Sequence, residues 1–570
     1  MYTKVKDVQI LIALMKEHGI SHVVISAGSR HVPFVQSVEN DIFFNCYSVV
    51  DERSACYFAI GLYKRFLTPI AVVCTSAAAT CNYFPAVFEA FQQNIPLLIL
   101  TADRHPAYLD QMEDQMIKQN NMYGMLCKKA VNLPWVVSPL DSWQCQRFVN
   151  EAILELNHHG VGPVQINFPN HTNLIDNADL SVATLPKVKV IKRYDRKTSI
   201  EEWEQLQKKL CEANRILILC GCMNPINDEQ IKALENFSER YNCVIATEQL
   251  SNIHCENSLD TYKMSHSLSK DTFKDILPEI VISFGGNFYS RFKSLLRWEQ
   301  GNFEHWNINK DGRIIDSFQS LTSVFECDWE FFFDKFAKMG EELKNNKIYY
   351  NTIEFKIKHL ISPRLSYSSM EAINELSKVL PKNSLLHLSI LNSTRIMELF
   401  TIHNSVRVYS NLGTYGIDGS MSTFLGQAAV TKDPCYLVIG DLSFFYDMNC
   451  LGIKGIGKNV HIMLINNNGA AEFHFSMGLK RIPTINDHIS AEHCFSAEQW
   501  AEENGFKYIK VEDTLGLQKN MCSFVNQNNS SPVLMEVFTN KEYDGELLNS
   551  YFEELKEYRN RGDIHYEKNN

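Results

Sequence analysis

Apolar runs of four to six residues recur along this chain, each followed by small or polar residues and then by a segment of helical length. In the first third these runs are His22–Ile25, Ile70–Val73, Pro96–Leu100 and Pro163–Phe168. Further on come Arg215–Leu219, Cys243–Thr247 and Ile280–Gly285, and later Cys435–Ile439 and His461–Ile465. Runs that are apolar on successive rather than alternate residues suit strands buried on both faces. With helical spacers between them they predict parallel βαβ units, hence an α/β fold of consecutive parallel-sheet domains.

The runs group into three blocks, residues 1–185, 199–345 and 365–545. A stretch rich in Asn, Asp and Lys, roughly 170–198, and the charged run Glu341–Lys347 connect them. The charged tail Glu553–Asn570 is expected to fray. The first twenty residues predict an amphipathic helix, interrupted by Lys4, Lys6, Asp7, Lys16 and Glu17 and so unlike a signal peptide. No apolar run approaches the roughly 20 residues that span a bilayer.

A length of 570 residues accommodates three or four domains of ordinary size. A net charge of -11 argues against a nucleic-acid partner, which selects for a basic face. The 16 cysteines are scattered, and the nearest pair, Cys220 and Cys222, lacks the second ligand pair of a zinc site. Reduced, mostly buried thiols of a cytoplasmic protein are the expectation. The run Trp329–Phe333 is expected to be core.

Candidate chemistry gathers at the ends of the last two runs. Asp441 follows Cys435–Ile439 directly, and Asn467 and Gly469 follow His461–Ile465. In an open parallel sheet, residues at the carboxyl ends of strands line the ligand crevice. A carboxylate, an amide oxygen and a backbone carbonyl gathered there suit a hard divalent cation holding a diphosphate. In the first block Glu52 opens a helix whose small and apolar face continues through Ala59, Ile60 and Leu62. A lone Glu at a helix start is ordinarily a solvated residue favoured by the dipole. Glu52 gains interest from three neighbouring segments, Ser26-Ala-Gly-Ser-Arg30, Thr75-Ser-Ala-Ala-Ala-Thr80 and Leu100-Thr-Ala-Asp-Arg104.

Together with Ser410–Gly419, Gly440–Asn449 and Asn466–Ala470, and in this order, these segments resemble one branch of the thiamin-diphosphate enzymes. That branch is 2-succinyl-5-enolpyruvyl-6-hydroxy-3-cyclohexene-1-carboxylate (SEPHCHC) synthase of menaquinone biosynthesis, and the resemblance covers nearly the whole chain. It implies three domains, binding pyrimidine, a Rossmann-like middle and diphosphate with Mg²⁺ (or Mn²⁺). It implies decarboxylation of 2-oxoglutarate and transfer of the succinyl unit to isochorismate. Glu52 would be the catalytic acid-base at the aminopyrimidine ring. Ile417 would support the cofactor rings, and Gly440, Asp441, Leu442 and Asn467 its diphosphate. Asp441, Asn467 and the Gly469 carbonyl would be the metal ligands. Ser29, Arg30, Arg104, Gln115, Arg291 and Arg395 would hold the small-molecule carboxylate substrates. The resemblance also implies at least a homodimer, or a homotetramer, with Glu52 of one chain and the metal motif of its partner sharing each site.

Six positions depart from the family pattern. Leu412 replaces an Arg, Leu391 a Ser, and Glu472 an apolar residue, while Phe292 stands where a second basic residue often follows Arg291. Ala77 and Ala78 stand where the family has Gly-Thr. Two losses of polar groups suggest a donor without a distal carboxylate, unless Ser389, Asn392 or Ser393 compensates. The alternatives are therefore a divergent decarboxylase or carboligase with another donor and acceptor, and a non-catalytic subunit of the same fold.

Overall fold

A computed structural model describes the chain except for residues 170–179, 189, 191–199, 313–314, 341–343, 476–478, 480–481 and 567–570. Most of the expected connection at 170–198 and the first residues of Glu341–Lys347 therefore lie outside the described residues. The chain divides into two compact units, Met1–Asp195 with Asn411–Lys432 and Phe445–Gly457, and Arg196–Ser410 with Asp433–Phe444 and Lys458–Asn570.

The first unit holds strands β1 (Tyr2–Thr3), β2 (His22–Ile25), β3 (Asn45–Ser48), β4 (Ile70–Cys74), β5 (Leu97–Asp103), β6 (Ala130–Asn132), β7 (Val164–Pro169) and β8 (Leu180–Val182). Six of them form one sheet in the order β3-β2-β4-β5-β7-β6, parallel throughout. The short β1 and β8 pair antiparallel. The four predicted strands are its buried centre, and β4 and β5 are buried at every residue. The edge strand β3 is polar and partly exposed, so it carries no apolar run. The N-terminal helix forms over Lys6–Glu17, and it is buried continuously from Asp7 to Met15 rather than along one stripe.

Helix Glu52–Phe66 packs on one sheet face and is crossed closely by helix Ser420–Ala428. A Cβ at Gly61 would lie 2.1 Å from the Thr423 carbonyl oxygen, and one at Gly426 would lie 2.3 Å from that of Phe58. These two glycines let the helix backbones touch.

The second unit contains two more six-stranded parallel sheets. One comprises β9 (Ile216–Cys220), β10 (Cys243–Thr247), β11 (Ser258–Asp260), β12 (Ile280–Phe284), β13 (Glu304–Ile308) and β14 (Leu321–Phe325), in the order β11-β10-β9-β12-β13-β14. Phe332 and Phe333, from the aromatic run expected in the core, are fully buried against it. The other comprises β15 (Leu385–Leu388), β16 (Arg407–Tyr409), β17 (Cys435–Gly440), β18 (Val460–Asn466), β19 (Lys507–Val511) and β20 (Val533–Phe538), in the order β16-β15-β17-β18-β20-β19. The charged tail begins within the helix Lys541–Tyr566. Among the described residues no helix is long and apolar enough to cross a membrane.

In each six-stranded sheet the chain steps outward in one direction and then returns to the other side of its first strand. The switch points fall between β2 and β4, β9 and β12, and β15 and β17. At such a point the loops diverge and leave a crevice for ligands. In the β9/β12 case the loops are tied together instead. The Cys222 N–H donates to the Asn287 carbonyl at 3.0 Å, and the Gly286 N–H to the Cys222 carbonyl at 2.9 Å. The predicted site residues other than Arg291 belong with the other two switch points or with loops beside them.

Candidate active site

In the first unit, Ser29 and Arg30 follow β2, and Thr75 to Ala77 follow β4. The Arg30 N–H donates to Thr75 Oγ1 at 3.4 Å, joining the two loops. Ala77 adopts φ +63°, a region that favours glycine and costs about 1–3 kcal/mol for other residues. Gln119 holds it there, its Oε1 accepting the Ala77 N–H at 2.6 Å while its amide is anchored on Ala102 and Asn167. Gln115, also at positive φ, presents its carbonyl to the Ser76 hydroxyl at 2.9 Å. Arg104 leaves the end of β5 and pairs with Glu113. Burial, then the nearby Arg104 charge, push the Arg30 guanidinium down from its ordinary range, with Glu113 and Asp114 acting the other way. Among the described residues the buried Nε atoms of Arg30 and Arg104 have no hydrogen-bond partner. Arg30 and Arg104 thus lie near one another at the ends of β2 and β5 with Glu113 and Asp114 beside them, and Gln115 is tied to the loop after β4.

Glu52 occupies the first turn of its helix. Asp51 caps that helix, its Oδ1 accepting the Ser54 N–H at 3.0 Å. The Asp51 Oδ2 also accepts from the Asn449 amide at 2.6 Å, and Arg53 donates to the Tyr446 carbonyl at 2.8 Å. This first turn is therefore fixed on three sides, while the Glu52 carboxylate itself receives the Asn82 amide at 3.2 Å. Ile417 lies in the loop before helix Ser420–Ala428 and leaves 37% of its surface exposed. Leu412, in place of the family's Arg, is buried.

Asp447 supports the same helix pair from beneath. Its carboxylate accepts the Ser422 N–H and hydroxyl, both at 2.8 Å. Burial pushes its carboxyl up from 3.8 to about 6, with the Ser422 bonds and the Arg53 charge pulling it down. A raised carboxyl makes the folded state bind more protons than the unfolded one between those values. Its contribution to stability is then fully present below about pH 4 and lost as the pH rises through about 6. The loss amounts to ~3 kcal/mol. In Asp447→Asn, urea midpoints measured from pH 4 to pH 7 are expected to fall less with pH than in the wild type. Parallel pH profiles would refute the role.

In the second unit, Asp441 sits immediately after β17 and is 3% exposed. Its Oδ2 accepts the N–H of Asn467 at 3.0 Å and of Gly469 at 2.9 Å, and its Oδ1 accepts the Leu442 N–H at 2.7 Å. The loop after β18 is thereby folded back onto Asp441. Gly469 adopts φ +136°, and a Cβ there would lie 2.6 Å from the Ser490 carbonyl oxygen, so only glycine fits. Gly440 has open space around its Cβ position. The Asn467 amide NH₂ donates to Asp544 Oδ2 at 3.2 Å, so its amide oxygen is the group that could meet a cation. Asp544 is itself held by the Thr539 hydroxyl and the Ser369 N–H. His493 Nε2 lies 3.3 Å from Asp441 Oδ2. One carboxylate, one amide oxygen and one glycine carbonyl fit an oxygen-seeking divalent cation such as Mg²⁺.

Arg395 and Glu472 form the main surprise of this unit. Arg395 stands on helix Asn392–Met397, which follows β15, and Glu472 on the turn Ala471–His474, just past Gly469. Because β17 lies between β15 and β18, the two side chains meet across the end of the strand that leads into Asp441. The pair is bidentate, Nη1 bonding Glu472 Oε2 and Nη2 bonding Oε1 at 3.1 Å. Asn392 takes a further Nη1 bond at 2.5 Å, and the Phe475 ring covers the guanidinium at 4.7 Å. Burial acts to lower the Arg395 pKa, but the Glu472 charge outweighs it and holds the group above its ordinary range. Breaking such a pair by removing one partner costs about 3–5 kcal/mol when the other charge stays buried. Ser389 and Ser393 bond each other at 2.9 Å.

Arg291 caps the helix Phe292–Trp298, donating to the Leu268 carbonyl at 3.1 Å with its guanidinium 4.9 Å from the Trp298 ring. Burial, then the charges of Arg395, Arg291 and Lys556, push the His266 imidazole down to about 3. Arg291 and Arg395 thus face a common region of this unit. Sequence reasoning missed Glu113, Asp447, Asp544 and His493 as supports. Only Asp447 stood within a motif, Gly440–Asn449; Glu113 follows Arg104 by nine residues, and Asp544 and His493 are brought in from more distant segments by folding.

Residues 6–122 match the family described as thiamine pyrophosphate enzyme, N-terminal TPP binding domain. Over 562 residues the chain is 39% identical to the SEPHCHC synthase of Bacteroides fragilis, covering 98% of this chain and 100% of that one. The chain belongs to the SEPHCHC synthase family. The family member from Phocaeicola vulgatus is 38% identical, covering 98% of this chain and 99% of its own. That from Flavobacterium johnsoniae is 33% identical, covering 97% of this chain and all of its own. The fold also matches benzoylformate decarboxylase from Polynucleobacter necessarius, with a TM-score of 0.70 at 16% identity, over 95% of this chain and 99% of that one. The family's N-terminal cofactor-binding domain accordingly includes Ser29, Arg30, Glu52, Arg104 and Gln115.

Proposed function

We propose that this chain is a thiamin-diphosphate- and divalent-metal-dependent enzyme that decarboxylates a 2-oxo acid. It joins the remaining fragment to a carboxylate-bearing acceptor, the C–C ligation of SEPHCHC synthase. The observation that carries the reading is the Asp441 carboxylate with the Asn467 and Gly469 backbone wrapped onto it at a switch point. A chain serving only as scaffold gains nothing from that arrangement or from Glu52.

Asp441, Asn467 and Gly469 would hold Mg²⁺ or Mn²⁺, with Gly440 and Leu442 beside the diphosphate and Ile417 against the rings. The chemistry supplied by bound thiamin diphosphate is a carbon nucleophile and a sink for the electron pair left when CO₂ departs. Glu52 holds a proton at the aminopyrimidine ring, its helix start kept rigid by Asp51 and Arg53. Ser29, Arg30, Arg104, Gln115 and Arg291 bind the carboxylates of the acceptor through charge-assisted hydrogen bonds. Two copies or four, in the cytoplasm, complete the sites, Glu52 of one copy serving beside the metal grip of another.

A second reading keeps this chemistry with a different donor and acceptor, and the closed Arg395–Glu472 pair favours it. With thiamin diphosphate, Mg²⁺, 2-oxoglutarate and isochorismate, the purified protein is expected to release CO₂ and consume isochorismate if the SEPHCHC reaction is its own. CO₂ from another 2-oxo acid alone selects the second reading. A protein that binds no thiamin diphosphate in the presence of Mg²⁺ refutes both.

A further inference from the structure

The geometry points to a donor 2-oxo acid whose tail carries no charge, because the cation beside the metal grip is already neutralised by the chain's own Glu472. This inference rests on the decarboxylase chemistry common to both readings above, sides with the second on the donor, and specifies the substrate class at the same site.

The location follows from topology. Ligands of an open parallel sheet bind outside the strand ends at the switch point, here between β15 and β17. Arg395 follows the first of these strands and Asp441 the second. Glu472 reaches Arg395 over the end of β17, so the ion pair lies along the crevice edge beside Asp441. A single unpaired Arg at this edge would attract a second substrate carboxylate. A paired one does not.

The pairing is built rather than incidental. Both guanidinium nitrogens Nη1 and Nη2 are engaged by Glu472, Asn392 takes another Nη1 bond, and Phe475 closes the face. The two side chains are only 14% and 16% exposed, so little water is present to screen them. An anionic tail arriving here must either displace Glu472 and leave it unpaired, or lie beside that carboxylate. At the head of the Arg395 helix stands Leu391, held at φ +64°, with its carbonyl accepting the Tyr289 hydroxyl at 2.9 Å. Phe475 lays an apolar face over a pair with no net charge, and Leu391 heads the helix that carries Arg395. Such a wall suits a short aliphatic tail.

The test compares CO₂ release from 2-oxobutyrate and 2-oxoglutarate by the thiamin-diphosphate- and Mg²⁺-loaded enzyme. The wild type is expected to favour 2-oxobutyrate in kcat/KM by about tenfold or more. Glu472→Gln, which frees Arg395, is expected to raise kcat/KM for 2-oxoglutarate about tenfold and to narrow the preference. It should also gain a thermal shift with glutarate, a dicarboxylate that cannot react, where the wild type shows none. Should Glu472→Gln fail to fold, Arg395→Met/Glu472→Met removes both charges and is expected to keep the 2-oxobutyrate preference. Wild-type preference for 2-oxoglutarate, or loss of 2-oxoglutarate turnover on removing the pair, overturns the inference and leaves the decarboxylase reading standing. CO₂ release from neither acid, nor from any other 2-oxo acid, overturns that reading and this one with it.

Discussion

Glu52→Gln is expected to lower kcat/KM for CO₂ release by about 10²- to 10⁴-fold while leaving thiamin diphosphate and Mg²⁺ binding within a few-fold of the wild type. The amide is isosteric and can still accept the Asn82 hydrogen bond that the carboxylate receives at 3.2 Å. What it loses is the ability to hold and return a proton. The helix start should survive the change, because the Asp51 cap and the Arg53 bond to Tyr446 do not involve the Glu52 side chain. Calorimetric titration of the cofactor and a CO₂ assay on the same preparation separate the two effects. Activity within about threefold of the wild type would remove Glu52 from the mechanism.

The second large effect belongs to Asp441. In Asp441→Ala three backbone N–H groups, of Leu442, Asn467 and Gly469, lose their acceptor. Each buried unsatisfied donor costs about 1–3 kcal/mol, so a lower melting temperature is expected even without ligand. Metal-dependent binding of thiamin diphosphate should weaken by more than about 100-fold, the upper range for disturbing groups that merely support a metal ligand. Asp441→Asn separates these consequences. It retains an acceptor oxygen for the loop but not the charge, so the melting temperature should recover substantially while metal-dependent binding stays weak. Equal binding in Asp441→Asn and the wild type would contradict the assignment of Asp441 as the metal's anionic ligand.

Much of the α/β architecture was legible because buried parallel strands are apolar at successive positions. Ile70–Cys74, Cys243–Thr247 and Cys435–Gly440 are buried at nearly every residue, and each was visible as a run. Edge strands escaped notice for the converse reason. Asn45–Ser48 pairs on one side only and is polar, and Ser258–Asp260 is short and partly exposed. Val533–Phe538 illustrates another limit, a central strand interrupted by a buried charge. Glu536 is tolerated there because Asn466, Ser496, Tyr508 and the Ala497 N–H all donate to it. The tail from Glu553 reads as solvated charge, and it begins within a helix started at Lys541, where buried Leu548, Tyr551, Phe552 and Leu555 anchor the preceding and first turns.

The candidate site divides along the same line. The residue types proposed to grip a metal diphosphate and to move a proton stand in short contiguous segments, since a strand end and the turn after it supply them locally. Asp441, Asn467, Gly469 and Glu52 could therefore be named from sequence alone. Their supports could not, because Asp544 reaches Asn467 across 77 positions and Asn82 reaches Glu52 across 30. At the donor end the sequence showed the departures Leu391 and Leu412 but not which charges meet. In sequence Arg395 is a cation available to a substrate and Glu472 an isolated departure, 77 residues apart. Sequence by itself determined the family, the sheet-forming segments and the cofactor-directed residue types, all properties of local pattern. Only the tertiary structure decided which charges remain available, because an ion pair depends on how β15, β17 and β18 are ordered in space, and that order is not written along the chain.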